Sequence, residues 1–423
     1  MIASILWVLA YQRCGVAAEF DCLYSEVFLT RNAWEKRKLN YFLHVNEIKN
    51  KSEIYSKKDV LSVSGEFGIV NQIELQGRSF AGSSVKNYGV VELGDVVYTK
   101  SPLKKNPFGI VKVNRNKAGI VSTLYAIYKP QTTLYSPIID YYFQSDCRVN
   151  NYLKPLVNKG AKNDMKVKNV DVLKGNVTIP SEIGEQRTIV GLLNKLDKLI
   201  AATQHKIDAF EQIKKALLQH LFDQSWRFKE YSELWTPHLL GEITSKVTEK
   251  NTENLYHETF TNSAKYGIVE QQSFFDKSIS NEANLANYYV VRENDFVYNP
   301  RISNSAPVGP VRRNKLNRTG VMSPLYYVFR ATTAVYPIFL EYFFKGESWY
   351  RFMYLNGDTG ARSDRFAIKD KVFEQMPVKL PEKSEQEKIG ALLQNLETVI
   401  NQTQERLQKI RDIKDSLLKS LFV

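Results

Sequence analysis

The sequence predicts an α+β protein in which two mixed α/β globular domains are joined by two long helices, paired as an antiparallel coiled coil. The first observation is an internal duplication: segment 67–70 recurs at 266–269, and segment 119–125 recurs at 320–326. Secondly, each copy has a zone rich in Tyr, Phe, Val, Asn and Gly, followed by a zone without Pro and with almost no Gly. Thirdly, the second zones have heptad spacing of apolar residues. Together these features predict two equivalent halves related by a pseudo-two-fold axis.

The shifts in composition divide the 423 residues into five segments. We expect an atypical N-terminal segment, a first globular domain, a central helix, a second globular domain and a distal helix. Their predicted limits are, in that order, 1–30, 31–180, 181–225, 226–380 and 381–423. Within the globular domains, short β-branched and aromatic runs such as 96–98 are broken by Gly, Pro and Asn. This pattern predicts strands and loops, with a helix near 138–143.

Both Pro-free zones have apolar residues at alternating steps of four and three, which is the spacing of a coiled-coil seam. Lys214 and Lys414 interrupt the pattern at equivalent positions. Two equally long copies in one register favour pairing with each other over burial of each alone, and a helix of about 35 residues spans roughly 50 Å. The predicted helix-pairing seam consists of Ile189, Leu193, Leu196, Ile200, Ile207, Phe210, Leu217, Leu221, Ile389, Leu393, Leu396, Ile400, Leu407, Ile410, Leu417 and Leu421.

The charge balance is strongly basic, with 58 Lys and Arg against 45 Asp and Glu, a net charge of +13. Such an excess predicts a polyanionic or acidic partner, the alternative being a merely basic surface. Cys14, Cys22 and Cys147 are too few and too scattered for a disulfide framework or a zinc site, so we expect a cytoplasmic protein with reduced thiols. The apolar run 1–10 has no basic residue before it, and a secretory signal is therefore not expected.

The sequence carries no recognisable catalytic motif. It has neither a Gly-x-x-x-x-Gly-Lys-Ser/Thr phosphate loop nor a His-Glu-x-x-His metal motif, and its five histidines are dispersed. Acidic residues concentrate on the predicted helices, where a solvated coiled-coil face explains them. We therefore expect a non-catalytic protein with no metal site of its own.

Positive charge is concentrated on loops at equivalent positions of the two halves. Segments 99–117 and 299–318 contain several basic residues and no acidic ones. Lys and Arg neutralise phosphates, and Arg also reads base edges, so recurrence in both halves favours DNA binding over an unliganded basic loop. Segments 160–164 and 360–365 place small residues beside cations, which suits a phosphate contact or a structural turn. The predicted DNA-binding residues are Lys100, Lys104, Lys105, Lys112, Arg115, Lys117, Lys162, Arg301, Arg312, Arg313, Lys315, Arg318, Arg362 and Arg365.

Several motifs recur around the two helices. They are Pro180 with Glu185-Gln186-x-x-Ile189, Pro381 with Glu385-Gln386-x-x-Ile389, the helix ends 216–222 and 416–422, the strand 94–98, the segment 320–326 and the domain entry 226–228. With these motifs and the duplication, the chain from residue 34 to 423 resembles the specificity subunit of type I restriction–modification systems. The pattern departs at the N-terminus, where apolar residues 1–30 replace an expected Arg-Phe segment.

The resemblance implies two target-recognition domains that each read one half of an asymmetric, bipartite target in double-stranded DNA, with the helix pair setting the spacing. It implies that this subunit has no cofactor: S-adenosylmethionine, ATP and magnesium would be bound by partner subunits. Those partners would be two modification subunits, which methylate adenine, and restriction subunits recruited through them, with no membrane partner. The alternatives are a stand-alone nuclease or methyltransferase, and a coiled-coil assembly protein that does not bind DNA.

Overall fold

The computed structural model describes residues 34–159, 165–275, 282–359 and 364–422. The predicted N-terminal segment lies outside these residues. The described chain forms two compact units: the first contains the described residues up to Thr203 together with those from Arg406 onward, and the second contains those from Gln204 to Glu405. Both long helices are therefore divided between the units.

The described part of the first unit is an antiparallel β domain with short helices at its edges. Its strands are β1 (Glu35–Lys38), β2 (Leu43–Asn46), β3 (Leu61–Ser64), β4 (Gly68–Asn71), β5 (Gly89–Val91), β6 (Val96–Thr99), β7 (Val111–Val113), β8 (Gly119–Val121), β9 (Tyr125–Pro130), β10 (Asn158–Lys159), β11 (Met165–Lys166) and β12 (Asn176–Ile179). Its short helices are α1 (Gln72–Gln76), α2 (Pro137–Tyr142), α3 (Asp146–Leu153) and α4 (Asn169–Val172). The central sheet has the order β2-β9-β6-β7, and two-stranded pairs β1-β12, β3-β4, β5-β8 and β10-β11 surround it.

The second unit repeats this topology after the first long helix, α5 (Ile183–Phe222). Its strands are β13 (Thr236–Leu239), β14 (Thr244–Lys246), β15 (Phe260–Ser263), β16 (Gly267–Glu270), β17 (Tyr289–Val291), β18 (Phe296–Tyr298), β19 (Val311–Arg313), β20 (Gly320–Met322), β21 (Tyr327–Ala331) and β22 (Pro377–Leu380). Its helices are α6 (Leu240–Ile243), α7 (Gln271–Phe275), α8 (Pro337–Lys345), α9 (Tyr350–Asn356), α10 (Asp370–Phe373) and the second long helix α11 (Lys383–Leu421). The order β14-β21-β18-β19 matches the first unit, so the predicted α+β fold with an internal duplication is confirmed.

The central strand of each sheet is buried on both faces. In β6, Val96 and Tyr98 lie in the large apolar cluster that includes the helices, whereas Val97 lies in a smaller cluster with Leu61 of β3. Alternate side chains of a strand point to opposite faces, so one short strand contributes to both clusters. β18 repeats the arrangement with Phe296 and Val297, placed in the large and small clusters of the second unit.

The two long helices contain 40 and 39 residues, so both predicted helices are confirmed. The predicted seam positions are buried, except that Ile200 and Leu421 are half-buried. None of the described helices combines the length and the apolar character needed to span a membrane.

A buried glutamine fixes the start of each long helix on its globular domain. The Gln186 side chain accepts a hydrogen bond from the backbone N–H of Tyr135 at 2.7 Å and donates one to the carbonyl of Pro180 at 2.8 Å. Gln386 does the same with Tyr336 at 2.7 Å and Pro381 at 3.0 Å. Each amide satisfies backbone groups that burial would otherwise leave unpaired, which explains the repeated Glu-Gln motif.

Lys214 and Lys414, which interrupt the heptads, form ion pairs with the other long helix. In the first unit the Lys414 ammonium lies 2.5 Å from the Asp197 carboxylate, and in the second the Lys214 ammonium lies 3.2 Å from Glu397. The higher number on α5 pairs with the lower number on α11, so the helices run antiparallel. A charged residue within an apolar seam specifies register because any shift leaves it unpaired.

Glu397 belongs to a larger cluster of charges in the second unit. Its carboxylate contacts the ammonium groups of Lys345 at 2.8 Å and Lys315 at 3.6 Å, and it accepts a hydrogen bond from the Tyr342 hydroxyl at 3.1 Å. Burial alone would raise the pKa of the Glu397 carboxyl, but Lys345, Lys214 and Lys315 outweigh it and lower the pKa to about 2. The cluster ties α8 of the globular domain to both long helices.

Because the pKa of Glu397 is low, the free energy of unfolding of the second unit should decrease at acidic pH. The unfolded carboxyl takes up a proton near pH 4.5 but the folded one only near pH 2, so its stabilising contribution is complete above pH 4.5 and is lost as pH falls toward 2. We expect urea unfolding at pH 3 to reveal a loss on the order of 2–3 kcal/mol that Glu397→Gln does not show. Parallel pH profiles for the two proteins would contradict this assignment.

Candidate nucleic-acid interface

Each sequence-predicted basic segment contains a long loop between adjacent strands of the central sheet, from β6 to β7 or from β18 to β19. It continues through the second strand of that pair into the turn that follows. A glycine closes each loop against the preceding strand. Gly109 has φ +91° and Gly309 has φ +84°, and a Cβ atom would lie 2.0 Å from the carbonyl oxygen of Thr99 or 2.2 Å from that of Asn299. Only glycine combines this backbone conformation with so close an approach. The loops thus leave and rejoin the sheets in the same way.

In the first unit the tip of this loop presents two lysines to solvent. Lys104 and Lys105 are exposed, whereas the neighbouring Asn106 is buried and donates a hydrogen bond to Asp146 at 2.8 Å. Asn150 donates to the backbone carbonyl of Lys105 at 3.0 Å, so the loop is anchored on α3. The lysine side chains stay available while their backbone is held.

Other predicted cations of the first unit contact protein groups. Arg115 pairs with Asp140 at 2.7 Å, donates to Asn194 at 3.0 Å and lies over the ring of Tyr141, which attaches the β7–β8 turn to α2 and α5. Burial raises the pKa of the Asp140 carboxyl, although Arg115 opposes that rise. Lys117 pairs with the exposed Glu74 at 3.3 Å. Lys112 and Lys100 are half-buried.

Two arginines of β19 face the interior of the second unit. Arg313 pairs with the buried Glu341 at 2.7 Å, and Arg312 donates to the backbone carbonyl of Ala264 at 2.7 Å. Burial lowers the pKa of the Arg312 guanidinium, because no carboxylate directly contacts it among the described residues. These arginines brace the hairpin β15–β16 and helix α8, a role that a count of charges does not reveal.

Two more predicted cations of the second unit are held in ion pairs. Lys315 lies 2.8 Å from Glu341. Arg318 donates to both carboxylate oxygens of Glu258 from Nε, at 2.7 and 2.8 Å, and to one of them from Nη2, at 2.5 Å. Both side chains remain about half exposed. Bidentate pairing of Arg318 raises the pKa of its guanidinium and limits its freedom to turn toward another anion.

Arg301 and Arg365, which belong to separate predicted segments, lie directly opposite each other in an isolated antiparallel bridge. The bridge is held by the backbone bonds Phe366 N–H to Pro300 carbonyl at 2.8 Å and Ile302 N–H to Asp364 carbonyl at 3.0 Å. Like charges placed opposite one another across strands are unfavourable, so this pair favours an anion between or beside them. The nearest carboxylate to Arg301 is that of Asp364 at 3.6 Å, and Arg365 has no ion-pair partner in the part of the chain that the structure describes.

The two arginines line a cavity of about 520 Å³. Its walls offer hydroxyl, amide and aromatic groups, among them Asn299, Ser303 and Tyr326. The Tyr326 hydroxyl is hydrogen-bonded to Thr261 at 3.1 Å. Cations beside short polar groups and aromatic faces are the chemistry that contacts phosphates and base edges.

Buried Asn262 shapes the floor of this cavity. Its side-chain amide donates to the carbonyls of Val297 at 2.7 Å and Pro310 at 3.1 Å, while its Oδ1 has no partner among the described groups. The equivalent residue of the first unit is Val63, on β3. Asn262 lies in a strand whose other residues are mostly polar, Phe260–Ser263, so the sequence gives no signal of its place in the cavity.

Two predicted DNA-binding residues, Lys162 and Arg362, lie outside the described residues. Sequence reasoning missed Asn299, Ser303 and Tyr326, because polar and aromatic residues in a loop carry no signal of a shared cavity. Among the described residues, no group of three or more His, Cys, Asp or Glu side chains is placed to hold a metal ion.

Comparison with solved structures gives matches along almost the whole chain. The crystal structure of a type I restriction–modification S subunit from M. genitalium is 14% identical, with a TM-score of 0.54 over 93% of this chain and 98% of that one. An HsdS subunit from Thermoanaerobacter tengcongensis is 14% identical over 93% and 97% of the two chains, with a TM-score of 0.46. A structure from a study of complex assembly and conformational transition in a type I R-M system is 16% identical over 93% and 99%, with a TM-score of 0.48.

No protein-family model matches the chain, and no curated protein matches it. The similarity to the M. genitalium S subunit shows that the two share a fold. The resemblance drawn from the sequence motifs is therefore confirmed at the level of the fold.

Proposed function

We propose that the protein is the DNA-binding specificity subunit of a type I restriction–modification complex. The observation that carries the proposal is the Arg301–Arg365 bridge at the edge of a polar cavity, in a chain with the S-subunit fold. Two arginines at directly opposed backbone positions can contact neighbouring phosphates, and either guanidinium alone can bind the O6 and N7 atoms of a guanine in bidentate fashion. The role fits the net charge of +13.

The two units would read different half-sites of an asymmetric, bipartite target. Arg301 and Arg365 of the second unit correspond to Ser101 and Met165 of the first, where exposed charge lies instead on Lys104 and Lys105. Lysines at a loop tip act as point charges toward phosphates, whereas paired arginines also discriminate bases. This difference supports two unlike readers on one duplicated scaffold.

In this proposal the chain is not itself an enzyme. Two modification subunits would methylate adenine in the bound target and recruit restriction subunits, and these partners would bind S-adenosylmethionine, ATP and magnesium. The complex would act in the cytoplasm, where its DNA is found. The support is the shared fold together with the absence of a catalytic motif from the sequence.

The arginine bridge gives a direct test. We expect Arg365→Ala in the complex with modification subunits to weaken binding of target duplex by a factor of about 5 to 150, because a bidentate contact is worth about 1–3 kcal/mol. Fluorescence anisotropy across a salt series should also show a smaller salt dependence if phosphate contacts are lost. Arg292→Ala is the matched control, because that arginine is similarly exposed but already pairs with Glu249 at 2.7 Å.

Equal affinities for the two variants would contradict the assignment of the site. Methylation or cleavage of DNA by the purified chain without partners would favour a stand-alone enzyme instead. Undiminished DNA binding after Lys104, Lys105, Arg301 and Arg365 are all replaced with glutamate would favour an assembly protein.

A further inference from the structure

Two surface loops, one in each unit, have the same hydrogen-bonded geometry. They follow β2 and β14, and each is organised by a buried asparagine, Asn50 or Asn251. In both loops the side-chain amide donates to the carbonyl of the tyrosine five residues later at 2.7 Å and accepts from that tyrosine's N–H at 3.1 Å. In each loop one asparagine side chain thus satisfies both backbone groups of the tyrosine, which fixes the conformation of the loop.

Both loops contain a residue in the left-handed backbone region, although neither residue is glycine. Glu53 has φ +50° and Asn254 has φ +52°, and each N–H returns to the carbonyl of the organising asparagine, at 3.0 and 2.8 Å. This conformation is unfavourable for a side chain such as glutamate, and it persists only where the surroundings impose it. Its presence at equivalent positions shows that both halves keep the same loop shape.

The strained residue turns the next side chain into solvent. Ile54 is 79% exposed and Leu255 is 67% exposed, and neither belongs to an apolar cluster of its unit. Isolated exposed apolar residues are common on protein surfaces. Here, however, both halves hold the same kind of side chain at the tip of the same braced loop.

The charges around the two tips differ, while the apolar side chain is kept. Residues 49–58 contain four lysines and one glutamate, whereas residues 249–258 contain three glutamates and one lysine. Two of those glutamates, Glu249 and Glu258, pair with Arg292 and Arg318, so the second tip has no excess of positive charge. A nucleic-acid backbone would select positive charge at both loops. If the loops contacted the bases of two different half-sites, different side chains would be expected at the two tips.

We infer that Ile54 and Leu255 are equivalent contact points for one kind of protein partner, which the chain binds twice. Two identical partners present the same apolar pocket to both loops, so both loops need an aliphatic side chain at the equivalent position. Because the loop is braced before binding, little conformational freedom is lost on contact. The inference rests on the proposed function, in which the partner present in two copies is the modification subunit.

The test is the stoichiometry of the complex with modification subunits, measured by native mass spectrometry over a titration. We expect wild type to bind two subunits, Ile54→Ser and Leu255→Ser each to weaken one of the two binding events at least tenfold, and the double variant to weaken both. The conservative variants Ile54→Leu and Leu255→Ile should bind two subunits with wild-type affinity. Leu93→Ser is the matched control, since Leu93 is 62% exposed but corresponds to Glu293 in the other half.

Each other outcome overturns the inference. If the double variant still binds two subunits with wild-type affinity, the loops are not contact points. If it keeps both subunits but changes the methylated bases, the loops read DNA instead. If wild type binds DNA but no modification subunit, the inference fails with the partner part of the proposed function, whereas loss of both activities in wild type would end the whole proposal.

Discussion

Replacing Glu397 with alanine is expected to lower the free energy of unfolding by about 3–5 kcal/mol at pH 7. The change removes the carboxylate shared by Lys214, Lys345 and Lys315, at 3.2, 2.8 and 3.6 Å. Lys214 and Lys345 are largely buried, so water replaces the lost partner only in part. The same change leaves the Tyr342 hydroxyl without its acceptor. Urea denaturation followed by circular dichroism measures the loss.

Asp197→Ala is the matched control for this prediction. Asp197 occupies the equivalent position in the first unit, but it pairs with one lysine, Lys414, and its side chain is 42% exposed. Solvent at the carboxylate reduces the expected loss to about 1–2 kcal/mol. Losses of similar size for the two variants would show that the cluster of lysines adds nothing. Combining Glu397→Ala with Lys214→Met should recover part of the stability, because one unpaired buried cation is removed.

The helices and the duplication were predictable because their signal is periodic. Heptad spacing predicted a central helix at 181–225, and the structure has Ile183–Phe222. The same pattern showed that Lys214 interrupts the seam but not why, since its partner lies 183 residues away on the other helix. Contacts between distant segments leave no trace in local spacing.

The site was predictable in its charge but only partly in its geometry. Arg301 and Arg365 were predicted from two separate segments, and the bridge between them depends on tertiary structure. Arg313, a predicted DNA-binding residue, pairs in the structure with the buried Glu341. A signal for that pairing was present: Asp140 and Glu341 recur as single acids in otherwise apolar helical segments, a pattern typical of a buried acid with a basic partner.

The predicted role of the helix pair as a spacer can be tested by deleting one heptad from both helices, residues 202–208 and 403–409. The two ion pairs are separated by 17 residues on α5, from Asp197 to Lys214, and by 17 on α11, from Glu397 to Lys414. Equal deletions preserve both pairs and the phase of the seam. A deletion in one helix alone makes the separations unequal, and then both pairs cannot form together.

For the matched deletion we expect methylation of the original target to fall at least a hundredfold in the complex with modification subunits. Seven residues shorten a helix by about 10 Å, which corresponds to roughly 3 base pairs. In a library of targets with varied gaps, regained methylation should therefore appear on gaps shorter by about 3 base pairs, with the bases of each half-site unchanged. Three base pairs also turn the duplex by roughly 100°, so this activity should be weaker than that of wild type.

The deletions in one helix alone are the controls. They should not restore methylation on a target of any gap length, because unequal helices leave one buried lysine unpaired. A matched deletion that kept the original gap, or changed the bases read, would show that the helices do not set the spacing.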